Sequence, residues 1–263
     1  MKILTKIPNL AATLCMLLII SLFSFYAYSE ENSAVLTEVH CMKSTSFDYE
    51  NLEKELWRPV HQLMVDDGKK LWWGFFGVAY GDKSDCDFYT FDVYSADAFE
   101  YGPDFGNAIE KLYKSDFDAI WKHTYQSRRI VNSSLWLGLD KTTVTDFRYI
   151  KLNWMQVNED DAERYISLEK TYFKPLYQNM VENGQLGGWY LLRLLQPEGS
   201  SVPYQFLTVD LYKKLGPLPV EGALKKVHPD ISPENLYKKA MKSREMIASK
   251  ILYLISSTQP ANP

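Results

Sequence analysis

Sliding the chain along itself by 116 residues superposes Leu52-Glu53-Lys54 on Leu168-Glu169-Lys170, Pro59 on Pro175, Gln62 on Gln178, Met64-Val65 on Met180-Val181, Gly68 on Gly184 and Trp73 on Trp189. These are nine identities in the 25 positions from 52 to 76, where ordinary residue frequencies give roughly one or two. The same offset later places Ser127-Arg128 on Ser243-Arg244. A chain built this way must fold as two copies of one unit. Two long copies make a pair of domains and not a solenoid.

Reading the copies together sharpens the periodicities. In the second copy, residues 149–156 alternate as a strand and 159–182 follow a helical pattern stopped by Asn183-Gly184. Two further strands, 189–195 and 204–212, flank a Pro-Glu-Gly-Ser-Ser turn, and helices at 218–226 and 233–244 lead to a last strand at 246–255. The first copy repeats the order from Val35 to Leu139. Strand, helix, strand, strand, helix, strand is the split βαβ unit. The expected fold is therefore α+β, with two tandem ferredoxin-like βαββαβ repeats at 34–145 and 148–258 packed sheet to sheet as a pseudo-dimeric α/β barrel.

The N-terminus carries Lys2 and Lys6, an apolar run from Leu10 to Tyr26 and a small-x-small end at Ala27-Tyr28-Ser29, the layout of a cleaved secretory signal peptide over 1–29. An uncleaved anchor is the alternative, since the run is close to membrane-spanning length. Cleavage predicts a secreted or periplasmic protein with no stable membrane insertion. The whole chain has 29 basic and 33 acidic side chains, a formal charge of −4, and loses two lysines with the leader. Such a chain has no basic footprint for nucleic acid. Cys41 and Cys86 then remain as a pair; Cys86, just before the third strand, should approach Cys41 at the end of the first, which allows a disulfide if the Cα atoms lie within about 7 Å. The four histidines are too scattered to spell a metal site.

The third strands divide into two faces. Phe88, Thr90, Asp92 and Tyr94 match Phe206, Thr208, Asp210 and Tyr212 identically, whereas Tyr89, Phe91 and Val93 face interchangeable Leu207, Val209 and Leu211. The expectation is that the interchangeable set packs under the helices and the identical set lines the barrel interior. His40, opposite Asn153 in the second copy, would join Trp73, Asp92, Asn153, Trp189, Arg193 and Asp210 there. Pro59 and Pro175 should bend their helices, Glu53 and Glu169 should be exposed beside Arg58 and Lys174, and the two Ser-Arg pairs should cap helices or bridge the units.

Leu-Glu-Lys followed by an aromatic, a base and proline in both copies, with Trp-Trp-Gly or Gly-Gly-Trp beyond, resembles the dimeric α/β-barrel superfamily fused into one chain, among uncharacterised secreted bacterial members. The likeness spans nearly the whole mature chain and is architectural; the superfamily includes cofactor-free monooxygenases and haem enzymes such as chlorite dismutases, and no catalytic motif of a named branch occurs here. The resulting reading is a protein that binds a small aromatic or amphipathic molecule between its halves, through Trp73, Asp92, Asn153, Trp189, Arg193 and Asp210, with no cofactor. A cofactor-independent monooxygenase-like enzyme using His40 as general base and a structural protein with a filled barrel are the alternatives. Oligomeric state is left open.

Overall fold

A computed structural model describes residues 34–82, 85–114, 117–199 and 201–259. The signal peptide expected at 1–29 lies outside the described residues. Eight strands, β1 (Val35–Ser44), β2 (Trp72–Tyr80), β3 (Phe88–Ser95), β4 (Arg128–Lys141), β5 (Tyr149–Gln156), β6 (Gly188–Gln196), β7 (Phe206–Tyr212) and β8 (Glu245–Ser257), close into one antiparallel barrel. Its order is β1-β3-β2-β8-β5-β7-β6-β4. Within the first half this gives β4-β1-β3-β2, and within the second β8-β5-β7-β6, the same order. Two seams join the halves: β2 pairs with β8 and β4 with β6.

The long helix of each half is one helix with a widened turn. We call α1 the run Tyr49–Leu52, the π-helical Glu53–Trp57 and Arg58–Asp66, and α5 the corresponding run Ala162–Leu168, Glu169–Phe173 and Lys174–Glu182. Each π segment ends two residues before a proline. Pro59 and Pro175 cannot donate to the carbonyls of Glu55 and Thr171, and the wider turn absorbs the misfit. The expected bend is thus a local widening. The shorter helices are α2 (Ala96–Tyr101), α3 (Phe105–Tyr113) and α4 (Phe117–Ser127) in the first half, and α6 (Val220–Val227) and α7 (Pro233–Ser243) in the second.

The two faces of the sheet are the reverse of those expected. Val39, Phe91, Ile150, Leu152, Leu207, Val209, Leu211 and Trp136 form one buried cluster inside the barrel, drawn from both halves. Trp73 and Phe75 pack instead with helix residues of the first half, and Trp189, Leu191, Phe206 and Tyr212 with those of the second. The interchangeable apolar set fills the interior and the identical set lies under the helices. Interior packing needs only apolar volume, which many residues supply; the helix side presents specific partners, so identity is kept there. His40, Trp73, Asp92, Asn153, Trp189 and Asp210 therefore do not share a central pocket, and the interior that was to hold a ligand is packed with side chains. Cys41 and Cys86 do meet, in a disulfide with Cα atoms 5.5 Å apart.

The repeated polar identities tie the halves together. Arg58 Nε donates to the Ser257 carbonyl (3.1 Å) and Lys174 Nζ pairs with Asp140 (2.6 Å), so the two helix bases reach opposite halves. Gln62 accepts from the Gln259 amide (2.8 Å) and Gln178 from the Thr143 amide (3.0 Å). The Trp73 amide donates to Thr258 Oγ1 and the Trp189 amide to Thr142 Oγ1, each at 2.9 Å.

Candidate functional site

Asp92 and Asp210 occupy matching places, and their surroundings differ. Asp92 on β3 sits in register with Glu38 on β1 and Trp73 on β2. Lys70, whose side chain is 0% exposed, contacts Asp92 Oδ1 directly and donates to His61 Nδ1 at 2.8 Å. The His61 ring stacks on Trp73 (4.6 Å between centroids, 12° between planes). Burial and then the Lys70 charge push the His61 imidazole well below the usual histidine range. Burial would raise the Asp92 carboxyl, but Lys70 and His61 hold it below its ordinary value. Every strong group in this cluster has a partner.

In the second half, Tyr177 stands for His61 and Leu186 for Lys70, so no cation replaces the Lys70 contact; Lys151, opposite Asp210 in the β5–β7 register, and Arg244 lower its carboxyl only as weaker influences. Asn153 Nδ2 donates to Asp210 Oδ2 (3.0 Å) and to Thr208 Oγ1 (3.2 Å), while Ser249 donates to Asn153 Oδ1 (3.1 Å). Asp210 Oδ1 and the Nε1 of Trp189, its register neighbour, are buried without a hydrogen-bond partner. Burial lifts the Asp210 carboxyl to about 6, against the opposing hydrogen bond from Asn153. The Tyr177 ring lies 5.7 Å from Trp189.

A second pair of equivalent groups lies deeper in the helix layer. Glu53 and Glu169, 3% and 1% exposed, face Arg128 at 3.8 Å and Arg244 at 3.5 Å. The expected surface pairs with Arg58 and Lys174 are not formed, because the π segments turn both glutamates inward toward their own half's arginine. Burial raises each carboxyl to about 7, with the arginine opposing. Among the described residues of the second half, Tyr165, Glu169 and Arg244 have one another as polar partners for their buried ends, and Trp189 Nε1, Asp210 Oδ1 and His228 Nε2 are buried without a hydrogen-bond partner. Native interiors seldom leave such atoms unused, so the second half is where a bound molecule would find them.

A groove of about 420 Å³ opens between α5 and α7 of that half, with Arg164, Tyr172, Lys239 and Lys242 at its rim and Leu168 and Ser243 in its floor. Leu168 and Ser243 immediately precede Glu169 and Arg244. Of the residues singled out from sequence, Asn153, Trp189 and Asp210 come together on β5, β6 and β7 of this half, buried and not among the residues that line the groove. Trp73 and Asp92 meet in the first half; His40 shares their side of the sheet, half-buried with Nδ1 on Ser133 Oγ (2.8 Å). Arg193 is exposed near the end of β6 and joins neither group. Sequence reasoning passed over Lys70 and His61, although the 116-residue offset places them on Leu186 and Tyr177, a visible asymmetry. Among the described residues no group of His, Cys, Asp and Glu is placed to hold a metal ion, and no helix is long and apolar enough to cross a membrane.

No protein-family model and no curated protein sequence matches the chain. Solved structures do. A provisionally assigned monooxygenase from Fusobacterium nucleatum superposes with a TM-score of 0.56 at 10% identity, over 88% of this chain and 97% of its own. A provisionally assigned monooxygenase from Lactobacillus acidophilus NCFM gives 0.53 at 13% identity, over 87% and 97%. At such identity the likeness is one of fold. The chain shares with them an α+β fold, here a closed antiparallel barrel of eight strands.

Proposed function

We infer that this is a secreted, internally duplicated α/β barrel whose second half acts as a monooxygenase-like, proton-abstracting enzyme on a small aromatic or amphipathic molecule. The observation that carries this is Asp210, a buried carboxylate with one oxygen unpartnered, a pKa of about 6 and a neutral orienting partner in Asn153. A general base works best when its pKa lies near the operating pH. Asp210 takes a proton from an acidic O–H or C–H of the substrate, Asn153 fixes the carboxylate, and the Trp189 N–H is available to the anion that forms. That electron-rich anion then donates to dioxygen. The groove has the volume of a small-molecule site, and its cationic rim suits a substrate bearing negative charge.

The fold neighbours bearing the monooxygenase description support the reaction class, the leader's layout and the Cys41–Cys86 disulfide support secretion, and the 116-residue identities with matching strand orders support duplication. Oxygen uptake by purified protein with a panel of hydroxylated polycyclic aromatics tests the reaction. We expect turnover that rises with pH to a plateau above about 6, falls about 10²-fold or more in Asp210→Asn, and persists in His40→Ala. Absence of both oxygen uptake and saturable binding of any aromatic by the wild type would overturn the reading.

A further inference from the structure

Lys70, Asp92, Glu38 and His61 take no part in the chemistry assigned to the second half. The Lys70 ammonium is enclosed by the rings of Tyr94 (5.0 Å) and Phe105 (5.5 Å), and Phe105 also closes over His61 (5.6 Å). An ammonium and a carboxylate held in such surroundings each carry a desolvation cost. Condensing them into an amide removes both charges.

We propose that Lys70 Nζ and Asp92 Cγ join in an intramolecular isopeptide bond, tying the entry of β2 to β3, with Glu38 and His61 carrying the protons. Three observations support the step. The nucleophile is already against the carboxyl group it would attack, the near-attack arrangement that replaces a bimolecular encounter. The carriers are in place: His61 Nδ1 accepts from Nζ at 2.8 Å, and Glu38 stands opposite Asp92 in the β1–β3 register with the Tyr94 hydroxyl bonded to it. Bulk water, which would reverse the reaction, is kept from a side chain with no exposure. Burial also lowers the His61 imidazole and raises the Glu38 carboxyl, the directions that favour one as proton acceptor and the other as proton donor.

The atoms balance without a further reactant. His61 takes one ammonium proton, the freed lone pair attacks Cγ, and Glu38 protonates the oxygen that will leave. Collapse breaks one C–O bond as His61 returns its proton to that oxygen, and a second Nζ proton restores Glu38. One C–N bond has formed, and two ammonium protons depart with the oxygen as water. The second half cannot do this, since Leu186 and Lys151 stand where Lys70 and Glu38 do.

Tryptic digestion of the reduced full-length protein followed by mass spectrometry decides the matter. An acylated Lys70 resists trypsin, so a branched peptide joining the segment that starts at Lys70 to the segment carrying Asp92, lighter by one water, is expected. Lys70→Arg should give linear peptides only. Glu38→Gln, with folding checked by circular dichroism, should form the link at least tenfold more slowly or not at all. Cleavage after Lys70 with separate recovery of the Asp92 peptide from folded wild type overturns the proposal, and undiminished linkage in Glu38→Gln removes Glu38 from it. Either result leaves the assignment of Asp210 standing, because the two clusters lie in different halves.

Discussion

One aspartate in two settings shows what a single neighbour does. Asp92 beside Lys70 is held below its ordinary pKa, while Asp210 beside Leu186 is lifted to about 6; the register neighbours Trp73 and Trp189 are the same residue. The missing cation is the main difference, so supplying it should bring Asp210 down. In a carboxyl-carbon NMR titration we expect Asp210 to titrate near 6 in the wild type and below about 4 in Leu186→Lys, as an adjacent opposite charge typically lowers a carboxyl by one to three units. A wild-type midpoint near 4 would take away its role as base. This asymmetry was legible in the sequence as Lys70 against Leu186. The face was not, because strand alternation tells which residues share a side and is silent on which side meets the helices.

At the scale of elements, Glu169 and Arg244 tie α5 to the start of β8, and Glu53 and Arg128 tie α1 to the start of β4. A folded-state pKa near 7 against about 4.5 in the unfolded chain means that the folded state holds a proton between those values that the unfolded state has released. Stability from Glu169 is therefore greatest at low pH and declines as pH rises from about 4.5 to 7. His61, kept neutral by the fold, has the opposite slope below about 6.5, so the wild type alone gives a mixed profile. The difference between wild type and Glu169→Gln isolates the one group. Urea unfolding at pH 5 and pH 8 should show the variant losing less stability with pH than the wild type, by up to about 3 kcal/mol; equal losses would contradict a buried, protonatable Glu169. The repeated Leu-Glu-Lys-x-x-aromatic-base-Pro run was plain in the sequence, but a π turn is set by where the proline's missing donor falls. Its inward rotation of the glutamate could not be read from a 3.6-residue period.

The disulfide acts between elements too. It closes a loop spanning a sequence separation of 45 residues, for which chain entropy predicts about 4 kcal/mol of stabilisation, within a usual range of roughly 2–5. Cys86→Ser should cost that much by urea unfolding under oxidising conditions, and should match wild type measured with reductant. The pairing was expected from topology, since the third strand of a split βαβ unit runs antiparallel beside the first.

At the scale of the molecule, the two halves of the barrel are not independent. Strand pairing closes both seams, the interior cluster mixes Val39, Phe91 and Trp136 with Leu152, Leu207 and Leu252, and the described chain from Val35 onward is one compact unit. Each half also lends a buried threonine to the other: Thr258 accepts from the Trp73 amide and Thr142 from the Trp189 amide. Thr258→Val leaves that amide buried and unpaired, a loss of about 1–3 kcal/mol. If the halves were separable domains, this damage would lower one of two transitions. A shared interior instead predicts a single transition, with equal calorimetric and van't Hoff enthalpies, that moves as a whole in Thr258→Val and by a similar amount in Thr142→Val. Two resolved heat-capacity peaks, with only one displaced by each variant, would show that the seams join domains that fold separately.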